Sequence, residues 1–156
     1  FENIIFLEPS RIKTTKNNAS QNRNWGLENW KKFVNIHKDK YLFVQSIFKN
    51  SDLISGTFKF ESNFREACAV LNKCDYTIGG EGGFTHAAAA LKKKGLFIYG
   101  GWVHPSITGY KIHKNIYIDI EGSPCGMKVD CEHCKKCKEI MTVEMITKNF
   151  REMLSN

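Results

Sequence analysis

Apolar residues in this chain fall into two alternating patterns. Short, mostly apolar runs at residues 3–7, 41–44, 75–78, 96–99 and 116–120 predict buried strands. Between them, apolar positions recur at helical spacing. Leu27, Trp30, Phe33, Val34 and His37 share one face over residues 26–38, and Phe64, Ala67, Cys68 and Leu71 do so over 63–72. An alanine-rich stretch predicts a helix over 83–92, and Val143, Met145, Ile146, Phe150 and Met153 predict another over 142–154. Residues 11–24 are polar without a period and read as a loop, while 51–61 fits neither period. Strands alternating with helices predict an α/β fold: a three-layer, Rossmann-like domain whose parallel sheet is covered on both faces. There is no internal repeat and no clear linker, so residues 1–156 are expected to form one domain, with a cysteine-rich loop at 124–138 inside it.

Ligands of such sheets lie beyond the carboxyl ends of the strands. One such strand-to-helix junction is Gly79-Gly80-Glu81-Gly82-Gly83-Phe84-Thr85-His86, running into four alanines. A carboxylate, a flexible turn and an imidazole therefore meet at a helix start, where free N–H groups and the helix dipole favour anions. Glu81 can accept hydrogen bonds from sugar hydroxyls or hold a cation, and His86 can donate to a phosphate oxygen. The competing reading is an ordinary glycine turn with a charged helix start and a packed histidine. His104-Pro105 and Thr108-Gly109-Tyr110 follow a strand on the same edge. They could wall the same pocket, with Trp102 or Tyr110 against a base or sugar, or form a plain surface loop. His37 and His113 read as structural or exposed.

Charge changes the picture modestly. The net charge of +7 fits a solvated basic surface, phosphorylated ligands or an anionic membrane face. No nucleic-acid module is present. No apolar run reaches a membrane span and no leader is visible, so the chain is expected to be cytoplasmic, with peripheral contact at a membrane left open. It opens on Phe1 rather than Met, so it is expected to be part of a longer protein. Asn18-Ala19-Ser20 matches a glycosylation sequon and is read as chance.

Of six cysteines, four crowd together as Cys125, Cys131, Cys134 and Cys137. Two C-x-x-C steps sharing Cys134, plus a fourth thiol, have the ligand count of a tetrahedral structural zinc or iron. Reduced thiols or a single disulfide are the alternatives. His133 is a substitute ligand on paper, read as exposed. Cys68 and Cys74 read as packed core residues.

The run from Ile78 to Ala89 resembles the donor-site signature of family-9 glycosyltransferases, the bacterial ADP-heptose:lipopolysaccharide heptosyltransferases. The strand with Pro9-Ser10, the segment Arg23-Asn24-Trp25-Gly26 with Trp30, and Phe97-Ile98-Tyr99-Gly100 resemble further family motifs in the same order. The resemblance implies the C-terminal, donor-binding half of a GT-B enzyme of two Rossmann-like domains. The catalytic base would lie in an N-terminal acceptor domain outside this chain, so no catalytic residue is assigned here. It implies inversion at the anomeric carbon without a catalytic metal, a nucleoside diphosphate sugar as donor, and a glycan or lipid-linked acceptor such as lipopolysaccharide. By position, Glu81 would hold the donor sugar. Gly82, Gly83 and His86 would border the diphosphate, Arg23 would neutralise it, and Ser10 would lie close by. Glu81 stands where the family has Asp, Gly82 where it has Thr, and Arg23 where it has Lys. The rival from another class is a non-catalytic, metal-stabilised interaction module.

Overall fold

The computed structural model describes residues 1–9, 22–48 and 51–155. Six parallel strands form one sheet: β1 (Ile4–Glu8), β2 (Leu42–Ile47), β3 (Thr57–Glu61), β4 (Tyr76–Gly80), β5 (Gly95–Gly100) and β6 (Lys114–Tyr117). Their order is β3-β2-β1-β4-β5-β6. The order reverses between β1 and β4, so the crossovers diverge there and leave a crevice at the strand ends. Glu8 is in register with Gly79 at that point. A Cβ on Gly79 would stand 2.6 Å from the Glu8 carbonyl oxygen, so only glycine allows this approach.

The helices are α1 (Leu27–His37), α2 (Phe64–Lys73), α3 (Gly83–Ala90), the short α4 (Pro105–Thr108), α5 (Glu132–Ile140) and α6 (Val143–Ser155). One core lies between the sheet and α1 and α6, built from Ile5, Leu7, Phe33, Phe43, Ile98 and Phe150 among others. The other lies beneath α2 and α3, where Phe6, Leu71, Phe84, Phe97 and Tyr99 meet. The predicted three layers with a parallel sheet are therefore present.

Differences fall at the ends and in the polar stretches. The last strand occupies Lys114–Tyr117 instead of 116–120: after a register shift between Ile98 and Gly100, Gly100 pairs with Tyr117, and the bond from Ile118 N–H to the Gly100 carbonyl (2.9 Å) is the last of the ladder. The undecided stretch yields the edge strand β3, anchored by Gln45. That buried amide donates to the Asp52 carbonyl (2.5 Å) and accepts from the Ile54 N–H (3.2 Å). The cysteine-rich stretch is not all loop, since α5 begins just after Cys131 and carries Cys134 and Cys137. His37 and His113 are both buried. Ser10, most of the polar loop and the sequon lie outside the described residues.

Candidate functional site

At the end of β4 the chain turns through Glu81 and Gly82 into α3. Glu81 is tied to the neighbouring strand by its N–H, which donates to the Ile98 carbonyl (2.9 Å), and its side chain is nearly buried. Gly82 caps α3 without a side chain. Its N–H donates to Thr85 Oγ1 (3.2 Å), and Thr85 N–H returns to the Gly82 carbonyl (3.0 Å). The N–H groups of Gly83 and Phe84 belong to the first turn, which has no intrahelical acceptor. A Cβ built on Gly82 would meet nothing within 4 Å, so the corner opens on free space. A Cβ on Gly83 would press the Phe64 ring at 3.3 Å.

Arg23 reaches this corner from the other side of the switch point. Its Nη1 donates to Glu81 Oε2 in an ion pair, and its guanidinium lies 5.2 Å from the centre of the Trp102 ring. The segment that carries it is pinned on both sides. Buried Asn22 precedes it, and buried Trp25 follows it. Trp25 stacks edge-on against Trp30 (4.8 Å) and donates its indole N–H to the Met141 carbonyl (2.6 Å). Gly26 has φ +103°, which explains a glycine where α1 begins. A guanidinium has five N–H donors, so its bond to Glu81 leaves others for an anion.

His86 is exposed in the first turn and a half of α3. Its Nδ1 lies 2.9 Å from the Tyr110 hydroxyl, with the rings edge-on at 5.6 Å. Beneath it, His113 Nε2 meets the Thr85 carbonyl (3.1 Å). Burial holds the His113 imidazole below its ordinary pKa, so it packs as a neutral ring. Tyr99, buried under the same corner, is pushed up to about 12, first by burial and further by the Glu81 charge. His104 caps α4 through its Nδ1, which accepts from Ser106 N–H (3.1 Å), a local structural role. Glu81, Gly82, Gly83, His86 and Arg23 thus gather at one edge of the sheet. Sequence reasoning gave Trp102 no part in holding Arg23. The pairing has no local signature, since 79 positions separate the two residues.

The cysteine cluster sits beside this edge. One ligand atom each from Cys125, Cys131, His133 and Cys134 lie within 4.8 Å of one another. Cys125 Sγ and Cys134 Sγ are 3.1 Å apart. The Cys131 thiol is held below its ordinary pKa, chiefly by a hydrogen bond from the Cys134 backbone, which favours the thiolate that a metal needs. Ser123 decides the state of His133. Its Oγ donates to the Ile118 carbonyl (2.8 Å), which can only accept, so His133 Nε2–H must donate to Ser123 Oγ (2.9 Å). That leaves the Nδ1 lone pair as the ring's available ligand. Three thiols and this nitrogen fit a tetrahedral soft-metal site. Cys137, expected as a fourth thiolate, is not in this group; its Sγ lies 3.7 Å from His133 Nε2 and 4.0 Å from Nδ1, and the residue is fully buried.

The profile of glycosyltransferase family 9 (heptosyltransferase) matches residues 59–136, which include the Glu81 corner and the four clustered ligands. No curated protein matches the chain in sequence. Solved structures share its fold. The iron-containing dodecameric heptosyltransferase TibC of enterotoxigenic E. coli, in complex with ADP-D-β-D-heptose, is 13% identical with a TM-score of 0.73 over 97% of this chain and 45% of its own. E. coli heptosyltransferase WaaC with ADP is 12% identical, with a TM-score of 0.65 over 99% of this chain and 45% of its own. E. coli ADP-heptose LPS heptosyltransferase II is 15% identical, with a TM-score of 0.68 over 98% and 47%. The chain therefore spans less than half the length of the structures it matches. The profile covers half of the sequence, and with it the corner and the cluster: the chain belongs to glycosyltransferase family 9.

Proposed function

We propose that this chain is the donor-binding half of an inverting GT-B glycosyltransferase that moves a sugar from a nucleoside diphosphate to a glycan or lipid-linked acceptor. The observation that carries the reading is the meeting of Arg23, Glu81 and the start of α3 at the reversal point of the sheet. The first-turn N–H groups of α3, His86 Nε2 and the guanidinium would hold the diphosphate. Glu81 would accept hydrogen bonds from the sugar. In transfer, negative charge builds on the departing diphosphate as the anomeric bond breaks, and donors already aimed at it lower the barrier. The acceptor, and the base that deprotonates it, would come from the part of the fold that the solved relatives have and this chain does not span. The open space over Gly82 supports a ligand there, as do the solved structures of WaaC with ADP and of TibC with ADP-D-β-D-heptose.

A metal at the cysteine cluster would be structural. Cys125, Cys131, Cys134 and His133 Nδ1 would hold zinc or iron, which would tie α5 to the segment after Ser123. TibC is described as iron-containing, and three thiols with an imidazole suit either metal.

Calorimetry of the chain with ADP, UDP and GDP tests the reading. We expect one of them to bind, and the binding to fall at least tenfold in Glu81→Ala and His86→Ala, on the order of one or two charge-assisted hydrogen bonds. A folded chain that binds none of the three would point to an interaction module instead.

A further inference from the structure

Between Cys125 and Cys131 the backbone is fastened to the segments that present Arg23. The Cys125 N–H donates to the Gly101 carbonyl (3.0 Å) and the Gly126 N–H to the Trp102 carbonyl (3.0 Å). Two side chains then close on one carbonyl. Trp102 Nε1–H donates to Met127 O (2.8 Å), and Asn22 Nδ2 donates to the same oxygen (2.9 Å) and to Val129 O (2.7 Å). Both hydrogens of the Asn22 amide nitrogen are used, and so are both lone pairs of the Met127 oxygen. Asn22 is only 7% exposed, so each of these bonds is costly to lose. Asn22 is also the residue before Arg23, and Trp102 is the ring on which the Arg23 guanidinium rests. Backbone and head of the same arginine are thus held through a single carbonyl of the cysteine-rich segment.

We propose that Asn22 and Trp102, joined through Met127 O, are positioning residues that aim Arg23 at the diphosphate of the donor, so that the cysteine-rich segment sets donor affinity without touching the ligand. The inference rests on the donor-binding reading above. Arginine is a long side chain with several rotatable bonds, and ordering it costs free energy unless something has ordered it beforehand. Glu81 alone cannot do this. Its carboxylate fixes one N–H, whereas the indole plane fixes the orientation of the guanidinium.

The test is a double-mutant cycle on ADP affinity, or on that of whichever of ADP, UDP and GDP the wild type binds. Trp102→Phe keeps a ring under Arg23 and removes the N–H. Asn22→Ser shortens the amide that grips Met127 O. Each is expected to weaken nucleotide binding roughly three- to tenfold, the scale of one net hydrogen bond. In an Arg23→Met background neither should weaken it by more than about twofold, because the arginine through which they act is gone. Metal content per chain should be the same in all variants. Unchanged affinity in both single variants overturns the proposal, as does an equal loss in the Arg23→Met background, which would mark a merely structural role. A second readout needs no nucleotide. The Arg23 side-chain N–H should give a protected NMR signal in the wild type that fades in both variants. Its persistence in both sinks the positioning role even if nucleotide binds. Failure of the wild type to bind any nucleoside diphosphate removes the donor-binding reading, and this inference with it.

Discussion

At the scale of single residues, the chain sorts its ionisable groups by what surrounds them. His37 is enclosed by Phe33 (4.7 Å), Phe150 (5.3 Å) and Tyr41 (6.1 Å), with its Nε2 3.3 Å from Thr147 Oγ1. Burial, and then the Arg151 and Lys40 charges, hold its pKa down to about 4 from an ordinary 6.5. The folded chain therefore keeps this ring neutral where the unfolded chain protonates it. Its contribution is complete above pH 6.5 and is lost as pH falls toward about 4, with a slope approaching about 1.4 kcal/mol per pH unit. His37→Phe keeps the ring contacts and removes the titration. Urea unfolding at several pH values should show the wild type losing stability relative to His37→Phe across this window. Metal release by acid affects both proteins and cancels in the difference. Parallel curves would reject the assignment. Glu81 is the opposite case: a nearly buried carboxylate answered by a guanidinium, so removing Arg23 leaves a buried charge unpaired. Its pairing with Arg23 is not legible in the sequence because 58 positions separate the two residues and only the fold brings them together.

At the scale of elements, what could be read from the sequence is what burial makes periodic. The α1 and α6 stripes and the apolar runs of β1, β4 and β5 are legible because one face or both meet a core. Strand β3 is an edge strand with no fully buried residue, and its approach is organised by Gln45, a buried polar residue that no hydrophobic pattern marks. Helix α5 has no legible apolar stripe in the sequence, because Cys134 and Cys137 supply its buried face and their spacing equally fits a metal-binding loop. The glycine corner was legible as a ligand edge, since glycine before an alanine-rich helix leaves N–H groups free. The structure adds that its glycines do different work. Gly79 allows β1 and β4 to meet, whereas Gly82 borders open space with an extended φ of 166° that any residue can adopt. Gly79→Ala is therefore expected to cost about 1–3 kcal/mol through strand displacement. Gly82→Ala should stay within about 0.5 kcal/mol of the wild type, yet weaken nucleotide binding by intruding on the ligand's space. Thermal unfolding beside calorimetry separates the two. Equal destabilisation by both would contradict the distinction.

At the scale of the whole molecule, the four grouped ligands Cys125, Cys131, His133 and Cys134 lie outside the two cores and beside the ligand edge. No helix among the described residues is long and apolar enough to cross a membrane, and the sheet with its covering helices buries a core on each face to which Cys137 contributes but Cys125, Cys131, His133 and Cys134 do not. A metal should therefore not decide whether the chain folds. It should decide whether residues 101–102 and 125–131 hold still. Chain purified under reducing conditions is expected to carry close to one equivalent of zinc or iron, and less than a tenth of an equivalent would reject the site. Cys134→Ser should empty it. Cys137→Ala should keep it loaded if His133 is the fourth ligand, and should empty it if the four thiolates bind instead. Chelation should raise amide hydrogen exchange in 125–131 by an order of magnitude or more while leaving β1 and β4 protected, because local opening follows local contacts. Loss of protection throughout the sheet would mean instead that the cluster supports the entire fold. Retained protection at 125–131 would mean that the hydrogen bonds of Asn22 and Trp102 suffice without the metal.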